Sequence, residues 1–120
     1  MESLKNNFYF QQVYKKGKSY ANKYLVMYVL ENGQPFNRVG ISVSKKVGNS
    51  VVRHRLTRLI RESYRLHENM FNSGLDIVVV ARVRAVEVKK CVEIESALLH
   101  LGKLHRIVIE NNEKNIHLVD

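Results

Sequence analysis

A single cysteine, Cys91, excludes an internal disulfide from this 120-residue chain and fits a reducing compartment. Tryptophan is absent, proline occurs once, at Pro35, and there are no repeats or low-complexity tracts. With hydrophobic residues at 45%, that excludes a disordered chain and points to one candidate domain over residues 1–120, long enough to bury a modest core. No apolar run approaches the ~20 residues of a membrane-spanning helix, and the opening residues lack the apolar centre of a signal peptide. Both observations point to the cytoplasm. What is scarcest is negative charge in the middle of the chain. Residues 38–65 hold eight Lys and Arg but one acid, Glu62. Residues 1–37 hold five bases and two acids, residues 66–120 seven and eight, so most of the net +9 sits in one block. A basic block inside a folded region asks for a polyanion, meaning nucleic acid or, less readily, an acidic membrane surface.

The hydrophobic patterning is that of a mixed fold. Phe10, Val13 and Tyr14 fall at i, i+3, i+4, which predicts a short helix over Asn7–Lys16 stopped by Gly17. Asn22–Glu31 is rich in β-branched and aromatic residues and reads as a strand, with Tyr24, Val26 and Tyr28 on one face and Leu25, Met27 and Val29 on the other. Turn residues follow at Asn32, Gly33 and Pro35, then an alternating strand at Arg38–Ser44. The short connection predicts an antiparallel hairpin between these two strands, with a further short strand near Lys18–Asn22. Asn49 or Ser50 can cap a long helix to about Phe71, and Gly74 leads into a near-continuous apolar strand at Leu75–Val83. A second long helix is expected over Val88–Leu104, with Val92, Ala97, Leu98, Leu101 and Leu104 in its apolar stripe. The tail from Arg106 to Asp120 is ambiguous. The sum is an α+β or α/β sandwich with a strand–helix–strand unit from Arg38 to Val83.

The long helix carries the charge. On a wheel of about 100° per residue, Val52, Leu56, Leu59, Ile60, Ser63 and His67 form a buried seam. His54, Arg58, Arg61 and Arg65 lie near the opposite pole at i, i+4, i+7, i+11, in a line along the helix, with Arg55 and Glu62 to one side and Arg53 near the seam. A charged helix face is usually only a solvated one, but such a face mixes both signs. Here like charges repel by a few tenths of a kcal/mol per neighbouring pair, and a phosphate backbone would turn that repulsion into attraction, since the planar guanidinium grips phosphate oxygens with two donors. Lys45, Lys46, Gly48, Asn49 and Ser50 lead into the helix N-terminus, where free N–H groups favour an anion. They serve equally well as a capped loop; joined to the arginine line they extend one basic surface.

Catalytic side chains are hard to find. A protein ribonuclease needs an acid and a base near one phosphate. His54 on the basic face has no evident partner, His67 falls on the seam, and His100 and His105 are five residues apart. Cys91, Glu95 and His100 make a poor metal set, and no carboxylate pair suggests a Mg²⁺ site. Phe10, Tyr14, Tyr24 and Tyr28 are aromatic with basic neighbours Lys15, Lys16, Lys18 and Lys23, a composition that can stack bases of single-stranded RNA. On these residues alone, an ordinary core beneath the first helix is the better reading.

The stretch RVGISVSKKVGNSVVRHRLTRLIRESYR resembles the signature of the protein subunit of bacterial ribonuclease P. NFYFQQVYKKGKSYANKYLVMYV is similar to that family's N-terminal segment and DIVVVAR to its last strand, so the resemblance covers roughly residues 7 to 100. It implies a two-layer α/β sandwich of order α-β-β-β-α-β-α, ribosomal protein S5 domain 2-like, with a left-handed βαβ crossover where the general rule is right-handed. It implies that the chain assists removal of the 5′ leader of precursor tRNA by a catalytic RNA, with Mg²⁺ serving the RNA and no cofactor or active site of the protein's own. Lys45, Lys46, Asn49, Arg53, His54, Arg55, Arg58, Arg61 and Arg65 would then meet the catalytic RNA. Phe10, Tyr14, Asn22, Lys23, Val26 and Tyr28 would line the cleft for the leader. His54 stands where the family pattern Arg-Asn-Arg has its asparagine. The competing readings are a non-enzymatic ribosomal or general RNA-binding protein, and a self-sufficient ribonuclease relying on His54.

Overall fold

The computed structural model describes residues 1–109. Its elements run β1 (Glu2–Ser3), α1 (Asn7–Lys16), β2 (Lys18–Ala21), β3 (Leu25–Glu31), β4 (Arg38–Ser42), α2 (Ser50–His67), β5 (Leu75–Ala81) and α3 (Cys91–Leu104), with short 3-10 turns at Glu68–Met70 and Val83–Glu87. The most apolar strand dictates the arrangement. β5 has no polar face to give to water, so it takes the centre of a five-stranded mixed sheet of order β1-β4-β5-β3-β2. It runs antiparallel to β3 and parallel to β4, with α2 as the crossover between β4 and β5.

On one face α2 and α3 form the helical layer of the sandwich. Leu25, Met27, Val39, Ile77 and Val79 of the sheet meet Leu56, Ile60 and Tyr64 of α2 and Ile94, Leu98 and Leu101 of α3. On the other face α1 covers only part of the sheet, burying Val13 on Val78 beside Leu4, Leu30 and Tyr28. Asn6 caps α1 by accepting from the Phe8 N–H, and Gly17 ends it where a Cβ would sit 2.5 Å from the Val13 carbonyl and 2.9 Å from that of Val29.

Several expectations need correction. β3 and β4 do not form a hairpin, because β5 lies between them. A hairpin would have left one edge of the apolar β5 run in water. The six-residue connection instead bridges the start of β5. Asn32 donates its backbone N–H to the Gly74 carbonyl and its side-chain amide to Phe36 O and Asp76 Oδ1. Asn37 Oδ1 accepts from the Leu75 N–H, while its amide donates to the Asn72 carbonyl. β1 was not expected; its two residues pair parallel with Arg38 and Val39. β4 stops at Ser42, two residues early, and α3 starts at Cys91, because Val88 closes the preceding 3-10 turn as a buried plug. Val92 and Leu104 are exposed at 60% and 40%; Ile94, Ala97, Leu98 and Leu101 carry the stripe at i, i+3, i+4, i+7. Tyr64 joins the buried seam of α2. After α3, Arg106 takes a left-handed φ of 60°, and Val108 bridges to Phe71. The rest of the ambiguous tail, 110–120, lies outside the described residues.

His105 closes α3 onto the sheet. Its Nε2–H donates to the Met27 carbonyl at 2.9 Å, since a carbonyl can only accept, and its ring meets Tyr20 edge-on at 4.7 Å. Burial lowers its pKa, nearby Lys18 acts in the same direction, and the Met27 carbonyl offsets part of this. The unfolded chain therefore takes up the proton first as pH falls, so His105 costs stability below its ordinary value of about 6.5 and nothing well above it. Thermal melts at pH 7.5 and 5.5 should show a larger loss of Tm in the parent than in His105→Gln; equal losses would contradict this linkage.

Candidate nucleic-acid interface

The outer surface of α2 follows from its register. Asn49 caps the helix by accepting from the Val52 N–H at 3.0 Å, and Val47 plugs the core just before it. Gly48 permits the tight approach, for a Cβ there would lie 2.8 Å from the Val52 side chain. With Leu56, Ile60, Ser63 and Tyr64 turned inward, His54, Arg58, Arg61 and Arg65 are exposed, and Lys45 and Lys46 stand exposed in the turn that leads in.

The basic residues are not equivalent. Among the described residues, no carboxylate lies within ion-pair distance of Lys45, Lys46, Arg53, Arg58 or Arg61. Arg65 is paired with Glu62 through both carboxylate oxygens, which holds the Glu62 carboxyl below its usual pKa. Arg55 is half-buried and donates to the Val88 carbonyl at 3.1 Å, so it ties α2 to the turn before α3. Arg53 is also half-buried, and its Nε is shielded from water without a hydrogen-bond partner. Arg55, Arg58, Leu59, Arg61 and Glu62 line an open depression of about 480 Å³. Among the described residues the free charge is thus concentrated in Arg58, Arg61, Lys45 and Lys46, a surface that can hold phosphates.

The second surface lies on the sheet's other face. α1 crosses the row of register partners Tyr28, Val78 and Gly40. Phe10 seats its ring on Gly40, and Tyr14 meets Tyr28 edge-on, with centroids 5.0 Å apart and planes at 80°. Phe10 and Tyr14 are 6.3 Å apart, so three rings form one half-exposed wall. The next row, Val26, Val80 and Ser42, is half-exposed and makes a floor beside that wall. Ser42 ends β4 and the chain runs directly on to Lys45 and Lys46, so this cleft opens toward the basic end of the molecule.

Phe10, Tyr14, Val26 and Tyr28 therefore converge, as expected for a cleft. Asn22 and Lys23 do not join them. Asn22 sits in the β2–β3 turn, where its Oδ1 accepts from the N–H groups of Tyr24 and Leu25 and its amide donates to the Ala97 carbonyl at 2.8 Å. Its side chain is committed to holding the turn against α3. The Lys23 ammonium lies over the Tyr24 ring at 5.1 Å, above a hollow of about 310 Å³ that Ser96 and His100 also line. Sequence reasoning missed Val80, Ser42 and Gly40. Strand alternation places each on a face, but only the register of β4 and β3 against β5 sets them beside Val26 and Tyr28.

The remaining polar groups serve the fold. His67 Nε2 meets Glu95 Oε1 at 2.8 Å across α2 and α3, Cys91 Sγ lies 3.7 Å from Ser63 Oγ, and His100 Nδ1 is 3.2 Å from the Asn22 amide. Cys91, Glu95 and His100 do not assemble, and among the described residues no three His, Cys, Asp or Glu side chains are placed to share a metal ion. No helix of the described residues is long and apolar enough to cross a membrane.

Comparison with known proteins agrees with this geometry. The profile of the family described as Ribonuclease P matches residues 1–104. The chain is 66% identical over 107 residues to the ribonuclease P protein component of Lachnoclostridium phytofermentans, covering 89% of this chain and 91% of that protein. Against the protein component of Alkaliphilus oremlandii it is 53% identical over 105 residues, covering 88% and 91%. The fold is similar to the RNase P protein of Staphylococcus aureus, with a TM-score of 0.82 at 38% identity over 90% of this chain and 98% of that one. It is also similar to the Thermotoga maritima RNase P protein, with a TM-score of 0.78 at 33% identity over 86% and 96%. A sandwich with an outward arginine ridge, an aromatic cleft on its other face and this likeness along most of its length belongs to the ribonuclease P family, as a protein component of that endonuclease.

Proposed function

We propose that this chain docks α2 and the Lys45–Asn49 turn on the catalytic RNA of ribonuclease P while the cleft beneath α1 holds the single-stranded 5′ leader of precursor tRNA. The observation that carries the reading is the ridge of Arg58 and Arg61, folded, exposed and without a carboxylate of the described residues to neutralise it. Phosphates of a structured RNA would supply the anions, releasing counterions as they bind. Arg65, which must leave or share Glu62, and Arg55, engaged with Val88, would contribute less than their place on the helix suggests. The wall of Phe10, Tyr14 and Tyr28 can stack unpaired bases without reading sequence, as a leader of varied sequence requires. Lys23 would reach a strand only beyond the cleft, and Asn22 would act by shaping the turn.

The chemistry in this reading belongs to the RNA. The Mg²⁺ ions that such a reaction uses would be held by the RNA, and no proton transfer is assigned to the protein. The complex would work in the cytoplasm. A general RNA-binding protein would show the same ridge but stimulate no processing; a self-sufficient ribonuclease would need His54. Cleavage of precursor tRNA at low Mg²⁺, with and without a bacterial ribonuclease P RNA, tests all three. Cleavage is expected only with the RNA and more strongly when the protein is added. Cleavage by the protein alone, or no stimulation of the RNA, would refute the assignment.

The cleft has its own test. Tyr28→Ala should leave affinity for the catalytic RNA intact and reduce the preference of the assembled enzyme for leader-bearing over leaderless tRNA by about 1–3 kcal/mol, the worth of one stacked base. Unchanged preference would remove the leader from this surface.

A further inference from the structure

The structure assigns Gly40 as a positioning residue that sets the depth of the Phe10 ring and thereby the shape of the aromatic wall; its bearing on RNA rests on the cleft reading above. Glycine is a poor choice for the middle of a strand, where it loses more backbone freedom than any other residue and gives no side chain to pack. Backbone geometry does not demand it here. Gly33 and Gly74 are the described glycines with positive φ, and Gly40 pairs in regular register with Val78. What demands it is the space above. A Cβ at Gly40 would lie 2.5 Å from Phe10 Cζ, 2.8 Å from Cε1 and 3.2 Å from Cε2. All three nearest atoms belong to the leading edge of one ring.

That ring is the movable partner. Phe10 is half-exposed at the border of α1, whereas Gly40 is buried in a sheet held on its other face by α2 and α3. A methyl group at position 40 would therefore lift Phe10 out of its seat more readily than it would bend β4. The displaced ring would move relative to Tyr14, whose edge-on contact with Tyr28 completes the wall. The basic ridge lies on the opposite face of the sheet and would not feel the change. A single missing methyl thus lets one surface be shaped without the other.

The experiment is a double-mutant cycle of Gly40→Ala and Phe10→Ala, read by thermal unfolding, by affinity for the ribonuclease P RNA and by the preference of the assembled enzyme for long-leader over leaderless tRNA. Gly40→Ala is expected to keep affinity for the RNA within twofold and to cut leader preference by about fivefold or more, the lower end for one stacked base. In the Phe10→Ala background the same substitution should cost nothing further in preference, and its effect on unfolding should vanish or turn stabilising. Equal effects in both backgrounds, or RNA affinity falling as far as leader preference, would overturn the positioning role. If Phe10→Ala itself left leader preference unchanged, the cleft reading would fail and take the RNA consequence with it, while coupling in the unfolding data would still report the Gly40–Phe10 contact.

Discussion

The double variant Arg58→Ala/Arg61→Ala should fold like the parent but bind the ribonuclease P RNA at least about 100-fold more weakly, on the basis of about 1.5–3 kcal/mol for each charge-assisted hydrogen bond lost. Both side chains are exposed and unpaired among the described residues, so their removal leaves no buried group stranded. It also relieves a like-charge repulsion along α2, and the melting temperature should hold or rise slightly. The slope of log affinity against log salt should fall by roughly one per arginine. Arg65→Ala is the matched control. Its guanidinium is already occupied by Glu62, so its loss should cost distinctly less. If all three arginines contributed equally, the intrachain pair would not be tuning the surface. If the double variant bound as tightly as the parent, the ridge would not be the docking face.

Arg38→Ala should destabilise the fold by about 3 kcal/mol, the low end for breaking a buried ion pair. Arg38 and Asp76 are register partners on β4 and β5. Arg38 Nε donates to Asp76 Oδ1 and Nη2 to Oδ2, both at 2.8 Å, which raises the pKa of the guanidinium. Asp76 is 4% exposed, and without Arg38 it would keep, among the described side chains, only the Asn32 amide at 3.0 Å. The guanidinium also lies over the Tyr9 ring at 4.5 Å and helps seat the start of α1. For a domain of this size the loss corresponds to a Tm drop of roughly 10 °C or more. Arg38→Leu/Asp76→Leu should recover much of it, because a matched apolar pair leaves no stranded charge. A drop below about 3 °C for Arg38→Ala would mean that water already solvates the pair. Affinity for the catalytic RNA, measured well below Tm, should be unchanged, which separates this cluster from the ridge.

How much of this was readable in advance depended on the range of the interaction. α1 could be bounded to the residue from local signals alone, namely the spacing of Phe10, Val13 and Tyr14 and a glycine at its end. The seam of α2 and its line of arginines followed from 3.6-residue periodicity, and the family resemblance rested on that stretch together with the N-terminal segment and the DIVVVAR strand. The β3–β4 pairing was misjudged because a short turn-rich connection fits a hairpin equally well, and nothing local reveals that a strand more than thirty residues later will be inserted between the two. Asn22 shows the same limit. Its type suits RNA contact, but the Ala97 carbonyl that claims its amide is seventy-five residues away.

Composition, helical periodicity and the shortage of acids were enough to establish a folded basic protein with an acid-poor, arginine-lined helix face, because each is a property of residues near one another along the chain. The tertiary structure decided which arginines are free, which aromatic residues meet and which glycine makes room for them. Those outcomes depend on strand register and on carbonyls and carboxylates brought in from distant segments, and the energy differences that select them arise only when the whole core has closed.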